Sequence, residues 1–261
     1  MSTSATTSAG SHPVADTLVM IGRSLRHTVR NVDALLVSII LPIMIMLLMT
    51  TVFGGAMQTG TFDYIDYVVP GVILLCAGHG ASTTAMSVTK DMTEGIVRRF
   101  RTMSVMPSAV LTGHVVASVL RNLVSTALVI GTALALGFRP SAGLVEWIGV
   151  LGILVLFITA MSWLAAAVGL VARSVESAAA FGFFMLFLPY LASAFVPVDT
   201  LPGWLRPISE HQPITPINEA IRGLLLGTPV EHYGWLALVW CIGILAVSTT
   251  ATAVLWRRSR G

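Results

Sequence analysis

The chain is predicted to be an all-α membrane protein with six transmembrane helices, and three observations on its 261 residues lead there. Hydrophobic residues make up 55% and charged residues 10%, with a mean hydropathy of +0.85, whereas about a quarter of a soluble domain is charged. Apolar runs cover residues 34–53, 68–88, 109–138, 147–172, 178–196 and 235–256, each near the roughly 20 residues that a spanning helix needs. Basic residues concentrate on alternate connections between these runs, as they do in short cytoplasmic loops. Hydrocarbon offers the backbone no water, so only helices and closed barrels cross it, and these continuous runs lack a barrel strand's alternation.

Residues 1–13 are rich in Ser, Thr and Ala, with neither an apolar core nor an early basic region, and read as a disordered tail that is not cleaved. Over residues 14–33, at about 100° per residue, Val14, Leu18, Ile21, Leu25, Val29 and Val32 fall on one face. Arg23, Arg26, His27 and Arg30 fall on the other. Such a helix suits an interfacial position against anionic headgroups, ahead of the transmembrane domain over residues 34–261. Pro42 and Pro189 mark kink points inside apolar runs. Cys76 and Cys241 fall within runs too and read as small packing residues. Gly78, Gly80, Gly149 and Gly152 read as points of close helix packing.

Sidedness follows from the basic residues. With both termini cytoplasmic, Arg23, Arg26, Arg30, Lys90, Arg98, Arg99, Arg101, Arg173, Arg257, Arg258 and Arg260 lie inside. Only Arg139, Arg206 and Arg222 lie outside, among Asp63, Asp66, Glu146, Asp199, Glu210, Glu219 and Glu231. The formal net charge of +3 is therefore a sidedness signal, and nothing in it points to nucleic acid.

Between the second and third runs, DMTEGIVRRFRTM is the one concentration of charge. A helical wheel places Met92, Ile96, Phe100 and Met103 on one stripe and Lys90, Glu94, Arg98 and Arg101 opposite, which predicts a short amphipathic cytoplasmic helix with a Glu94–Arg98 pair. Gly95 costs about 1 kcal/mol relative to alanine in such a helix, so it is either a close-approach point or merely tolerated. The segment is either a solvated positive loop or, through its apolar stripe, a helix that docks in a partner's groove.

Residues 197–233 are long for a loop, and segments of this length usually carry structure or function of their own. WLRPI and INEAIRGLLLG read as two helical pieces broken by Pro213 and Pro216, forming a partly re-entrant extracellular helical hairpin. Glu219 and Arg222, three apart, are placed to pair, and His211 reads as a structural hydrogen-bonder.

Lys90 is the single lysine and no glycine pattern precedes it, so a phosphate-cradling GxxxxGK[ST] loop is excluded. HExxH, GxSxG and CxxC are also absent, and no metal site or enzyme chemistry is expected. Two ionisable residues lie in apolar runs. His79 either lines a substrate path or bonds a neighbouring backbone, and Arg121 either acts within the bilayer or reaches the headgroups from an extended third helix.

An amphipathic N-terminal helix, six spans, DMTEGIVRRFRTM followed by SAVLTGHVV, then AFVPVDTLP and EHQPITPINEAIRGLLLGTP together resemble the ABC-2 permeases of the daunorubicin/doxorubicin-resistance exporter type. The resemblance covers nearly the whole chain after the tail. Arg98 departs from it, standing where an acidic or amide residue is expected.

The resemblance implies the plasma-membrane subunit of a bacterial exporter that effluxes amphipathic compounds. It implies a cytosolic ABC ATPase as partner, with ATP and Mg on that subunit and no cofactor here, and a second permease, identical or sister. It maps the coupling helix onto Asp91, Met92, Glu94, Gly95, Ile96, Arg98, Arg99, Phe100, Arg101 and Met103. It maps the exit cap onto residues 197–227, with Trp204, His211, Pro213, Glu219 and Arg222. His79 stands as the candidate pathway residue. The rival readings are an exporter of lipid or glycolipid, and an ion-coupled carrier with His79 as its proton site.

Overall fold

The computed structural model describes residues 13–30, 32–55, 63–95 and 107–258. Helices follow one another throughout, and no strand occurs among the described residues. In chain order they are α1 (Pro13–Arg30), α2 (Val32–Leu48), α3 (Tyr64–Thr93), α4 (Pro107–Ala135), α5 (Leu144–Val171), α6 (Val175–Phe187), α7 (Arg206–His211), α8 (Ile214–Leu226) and α9 (Tyr233–Arg258). A π turn over Met49–Phe53 extends α2, a 3-10 turn over Leu188–Leu191 extends α6, and another covers Val198–Thr200.

Five helices are long and apolar enough to cross a membrane: Leu36–Phe53, Tyr64–Thr93, Ala109–Ala135, Leu144–Val171 and Tyr233–Arg257. The fifth predicted run, 178–196, is shorter as a helix and ends at Leu191. Pro189 explains the break, because it offers no N–H to continue the ladder and the last turn tightens to 3-10 geometry. Carbonyls released beyond it are taken by side chains. Tyr64 Oη donates to Phe195 O at 3.1 Å, Asn218 Nδ2 to Ser193 O at 3.2 Å and Arg222 Nη2 to Ser193 O at 2.7 Å. Irregular backbone is tolerable within a bundle when its polar groups are satisfied in this way.

The core sits around α3, which packs against α2, α4, α5, α6 and α8. Residues Tyr67 to Gly78 of this helix are all buried, as expected of one that is apolar all round. Small residues bring its neighbours close: a Cβ on Gly80 would lie 1.5 Å from Asn122 Oδ1 of α4, and one on Gly71 2.6 Å from Ala194 Cβ. Gly152, by contrast, has no neighbour within 4 Å of such a Cβ among the described residues.

The helix ends sort into two layers. Val88 of α3, Leu111 and Val115 of α4, Ala166 of α5 and Trp256 of α9 form one buried cluster, which puts the C-terminal ends of α3, α5 and α9 beside the start of α4. Met20 of α1 packs on Ala109 and Val110 at this same end. In the opposite layer, Arg139 N donates to Asp66 Oδ1 at 3.2 Å and Arg222 reaches the carbonyl of Tyr67.

Two local expectations change. The helix read as starting near Lys90 is, as far as Thr93, the last turn of α3, and it stops where Glu94 N bonds Lys90 O at 2.9 Å and Gly95 adopts φ +69°. That left-handed conformation is what glycine permits at a helix C-terminus, and it accounts for Gly95 without a close approach. Glu94 faces Lys90, Nζ to Oε1 3.8 Å, while its predicted partner Arg98 lies outside the described residues. In the other change, Pro213 precedes α8 but Pro216 sits in its first turn, where a missing N–H costs nothing, so only Pro213 separates the two pieces.

Candidate functional site

Asp91 lies in the last turn of α3, 8% exposed, at the point where α1 and α4 meet that helix. Arg23 of α1 grips it with both arms of its guanidinium, Nη1 to Oδ2 at 3.1 Å and Nη2 to Oδ1 at 3.3 Å. From α4, His114 Nε2 approaches Oδ2 at 3.0 Å, and since a carboxylate only accepts, Nε2 carries the proton. One carboxylate thus ties together three helices, and the bidentate fork fixes orientation as well as distance. Sequence separation conceals this node, because a helical wheel assigns Arg23 only to a headgroup-facing stripe. Arg26, Leu18 and Val19 are exposed, α1 meets α4 through Met20, and Ser24 is buried.

Two helical turns further into the bundle, Arg121 of α4 turns inward rather than toward the helix ends. Its Nη2 donates to Gly80 O at 2.9 Å and Thr84 Oγ1 at 3.2 Å, with Ser118 Oγ at 3.5 Å. A polar seam continues from there: Asn122 Nδ2 donates to Ser118 Oγ at 3.3 Å, and Ser162 Oγ donates to it at 2.9 Å from α5. No carboxylate pairs with Arg121 among the described residues, and its Nε is buried without a partner. Between Arg121 and the Asp91 node lies a cavity of about 280 Å³, with Lys90 and Glu94 at its outer margin.

His79 is half-buried on α3 and is not among the residues lining this cavity; its carbonyl accepts from Ser82 Oγ at 2.8 Å. Of the other residues singled out from the sequence, Met92 is half-buried and packs against the Trp256 cluster, whereas Ile96, Arg98, Arg99, Phe100, Arg101 and Met103 lie outside the described residues.

In the opposite layer, α8 is buried along most of its length against α3, α5 and α9. Arg222 forms the predicted ion pair with Glu219, and its Nη2 donates to Tyr67 O at 3.0 Å and to Ser193 O. The guanidinium carbon stands 3.7 Å from the centre of the Tyr67 ring. His211 Nδ1 donates to Pro207 O at 2.9 Å, closing a turn of α7, while Trp204 is 73% exposed. Asn218, fully buried on Ser193, was not singled out in the sequence; an amide amid INEAIRG carries no signal of its burial.

Comparison with known proteins places this arrangement. The family model described as ABC-2 type transporter matches residues 15–226. The daunorubicin resistance ABC transporter permease protein DrrB1 of Streptomyces coeruleorubidus is 31% identical over 260 residues, covering 96% of this chain and 90% of that protein. The probable doxorubicin resistance ABC transporter permease protein DrrC of Mycobacterium tuberculosis is 31% identical over 253 residues, 94% of this chain and 90% of its own length. Nodulation protein J of Rhizobium meliloti is 25% identical over 214 residues, 78% and 79% respectively. The chain therefore belongs to the ABC-2 type transporter family, as a multi-pass plasma-membrane permease related to the drug-resistance transporters.

Proposed function

We propose that this chain is the membrane subunit of an ATP-driven exporter of amphipathic compounds, moved by a separate cytosolic ATPase subunit and paired with a second permease. Val175–Leu191 and the turns after it complete a sixth crossing, with α8 dipping back beside it to cap the exit. Arg23, Arg26, Lys90, Arg173 and Arg257 belong to the Asp91 layer, which supports a cytoplasmic position for that layer and for both termini. On this topology α1 is interfacial, with Leu18 and Val19 toward lipid, and residues 91–103 are the surface that the ATPase grips.

The Asp91 node carries the reading. Residues 91–103 begin at a carboxylate bonded to Arg23 of α1 and His114 of α4, so a push on this segment is delivered to three helices at once. Packed helices with discrete arrangements respond to such a push by switching between inward-facing and outward-facing states. Phe100→Asp tests it, because a charge on the apolar stripe blocks docking without touching any span. The variant should insert normally, fail to co-purify with the ATPase and fail to export; normal recovery of the partner together with normal export overturns the assignment.

A further inference from the structure

We propose that the cavity among α1, α3 and α4 binds a phosphate group, supplied by the headgroup of an anionic phospholipid. The first argument is charge. Arg23, Lys90 and Arg121 face two carboxylates there, and each carboxylate is already engaged, Asp91 by Arg23 and His114 and Glu94 by Lys90. Arg121 is left over. Only its Nη2 is bonded, Nε is buried without an acceptor, and Nη1 makes no hydrogen bond among the described residues. A guanidinium drawn into a bundle demands a counter-charge, and the unengaged Nη1 is a charged donor that fits a phosphate oxygen.

Size permits this source and depth selects it. About 280 Å³ is far more than the ~10–15 Å³ that one water requires and has room for a headgroup phosphate. Thr84, which holds Arg121, precedes Asp91 by seven residues, so the cavity runs roughly 10 Å inward from Asp91. That distance spans the polar layer of a leaflet, about 5–8 Å, and ends just beneath it. One wall is α1, which exposes Leu18, Val19 and Arg26, a surface suited to lying among acyl chains and anionic headgroups. The bound phosphate would neutralise Arg121, with the charge of Lys90 at the mouth adding to the attraction.

The full chain, purified in a neutral detergent, is titrated with dioctanoyl phosphatidylglycerol, dioctanoyl phosphatidylcholine and inorganic phosphate, with thermal unfolding and native mass spectrometry as readouts. Phosphatidylglycerol should bind saturably, one per chain, and raise the unfolding temperature, while phosphatidylcholine and inorganic phosphate at equal concentration should not. Arg121→Met should unfold no earlier than the parent yet bind phosphatidylglycerol at least about tenfold more weakly, the scale of a lost charge-assisted pair. Lys90→Gln, at the exposed mouth, keeps the test open if Arg121→Met does not fold, and should weaken binding several-fold. Equal binding of the two lipids, or unchanged phosphatidylglycerol affinity in either variant, overturns the site. Equal stabilisation by inorganic phosphate overturns the lipid as its source.

Discussion

Asp91 and Arg23 stand 68 residues apart in the chain and meet through two hydrogen bonds of 3.1 and 3.3 Å. The pair is only partly shielded, since the Arg23 side chain is 36% exposed and that of Asp91 12%, so its contribution to folding is modest and its value is geometric. Asp91→Asn keeps the shape but leaves Arg23 and His114 without their anion. It should lower stability by about 1–3 kcal/mol and reduce ATP-dependent export far more than the amount of protein in the membrane. A double-mutant cycle with Arg23→Gln, read by thermal unfolding and by export, should be strongly non-additive. Additive losses would mean that the two residues act independently.

Gly80 and Asn122 make a second, purely steric relationship. An alanine at 80 would press its Cβ 1.5 Å from Asn122 Oδ1 and 2.4 Å from Cγ, so α3 and α4 must separate or Asn122 must leave the polar seam. Overpacking of this kind costs about 1–3 kcal/mol. Gly80→Ala should therefore lower the unfolding temperature, and Gly80→Ala combined with Asn122→Ala should recover much of the loss. A double variant no more stable than Gly80→Ala would contradict this packing.

These two relationships show where the sequence was informative and where it was silent. The helical class and the positions of five long spans were legible because hydropathy is a property of each segment taken alone. The Glu219–Arg222 pair was legible because a three-residue spacing on one helix is local. The partners of Asp91 were not legible, since Arg23 and His114 lie on other helices and periodicity is blind to tertiary approach. The early end of the helix in the fifth run was hidden for a related reason. Hydropathy stays high from Ala178 to Val196, but a proline at 189 stops the ladder, and the carbonyls it frees need Tyr64, Asn218 and Arg222 from distant segments. The end of α3 was misplaced because helix geometry ignores the boundary between apolar and charged residues and stops only where Gly95 turns left-handed.

Arg222 carries the largest predicted effect in the layer opposite Asp91. It is 7% exposed and satisfies Glu219, the carbonyls of Tyr67 and Ser193 and the face of the Tyr67 ring together, thereby joining α8 to α3 and to the broken end of α6. Arg222→Met strands Glu219 and leaves Ser193 O to Asn218 alone, and breaking a buried pair from one side costs about 3–5 kcal/mol. Arg222→Lys should rescue little, because a single ammonium on a flexible stem cannot reproduce the planar fork or its stacking on Tyr67. The paired variant Arg222→Met with Glu219→Gln should recover part of the stability, since the abandoned carboxylate is gone, while export stays impaired because the tie from α8 to Tyr67 of α3 is still missing. Unfolding temperature and export measured on the four proteins decide it: if lysine restores both, the fork geometry at this junction is not what holds α8 in place.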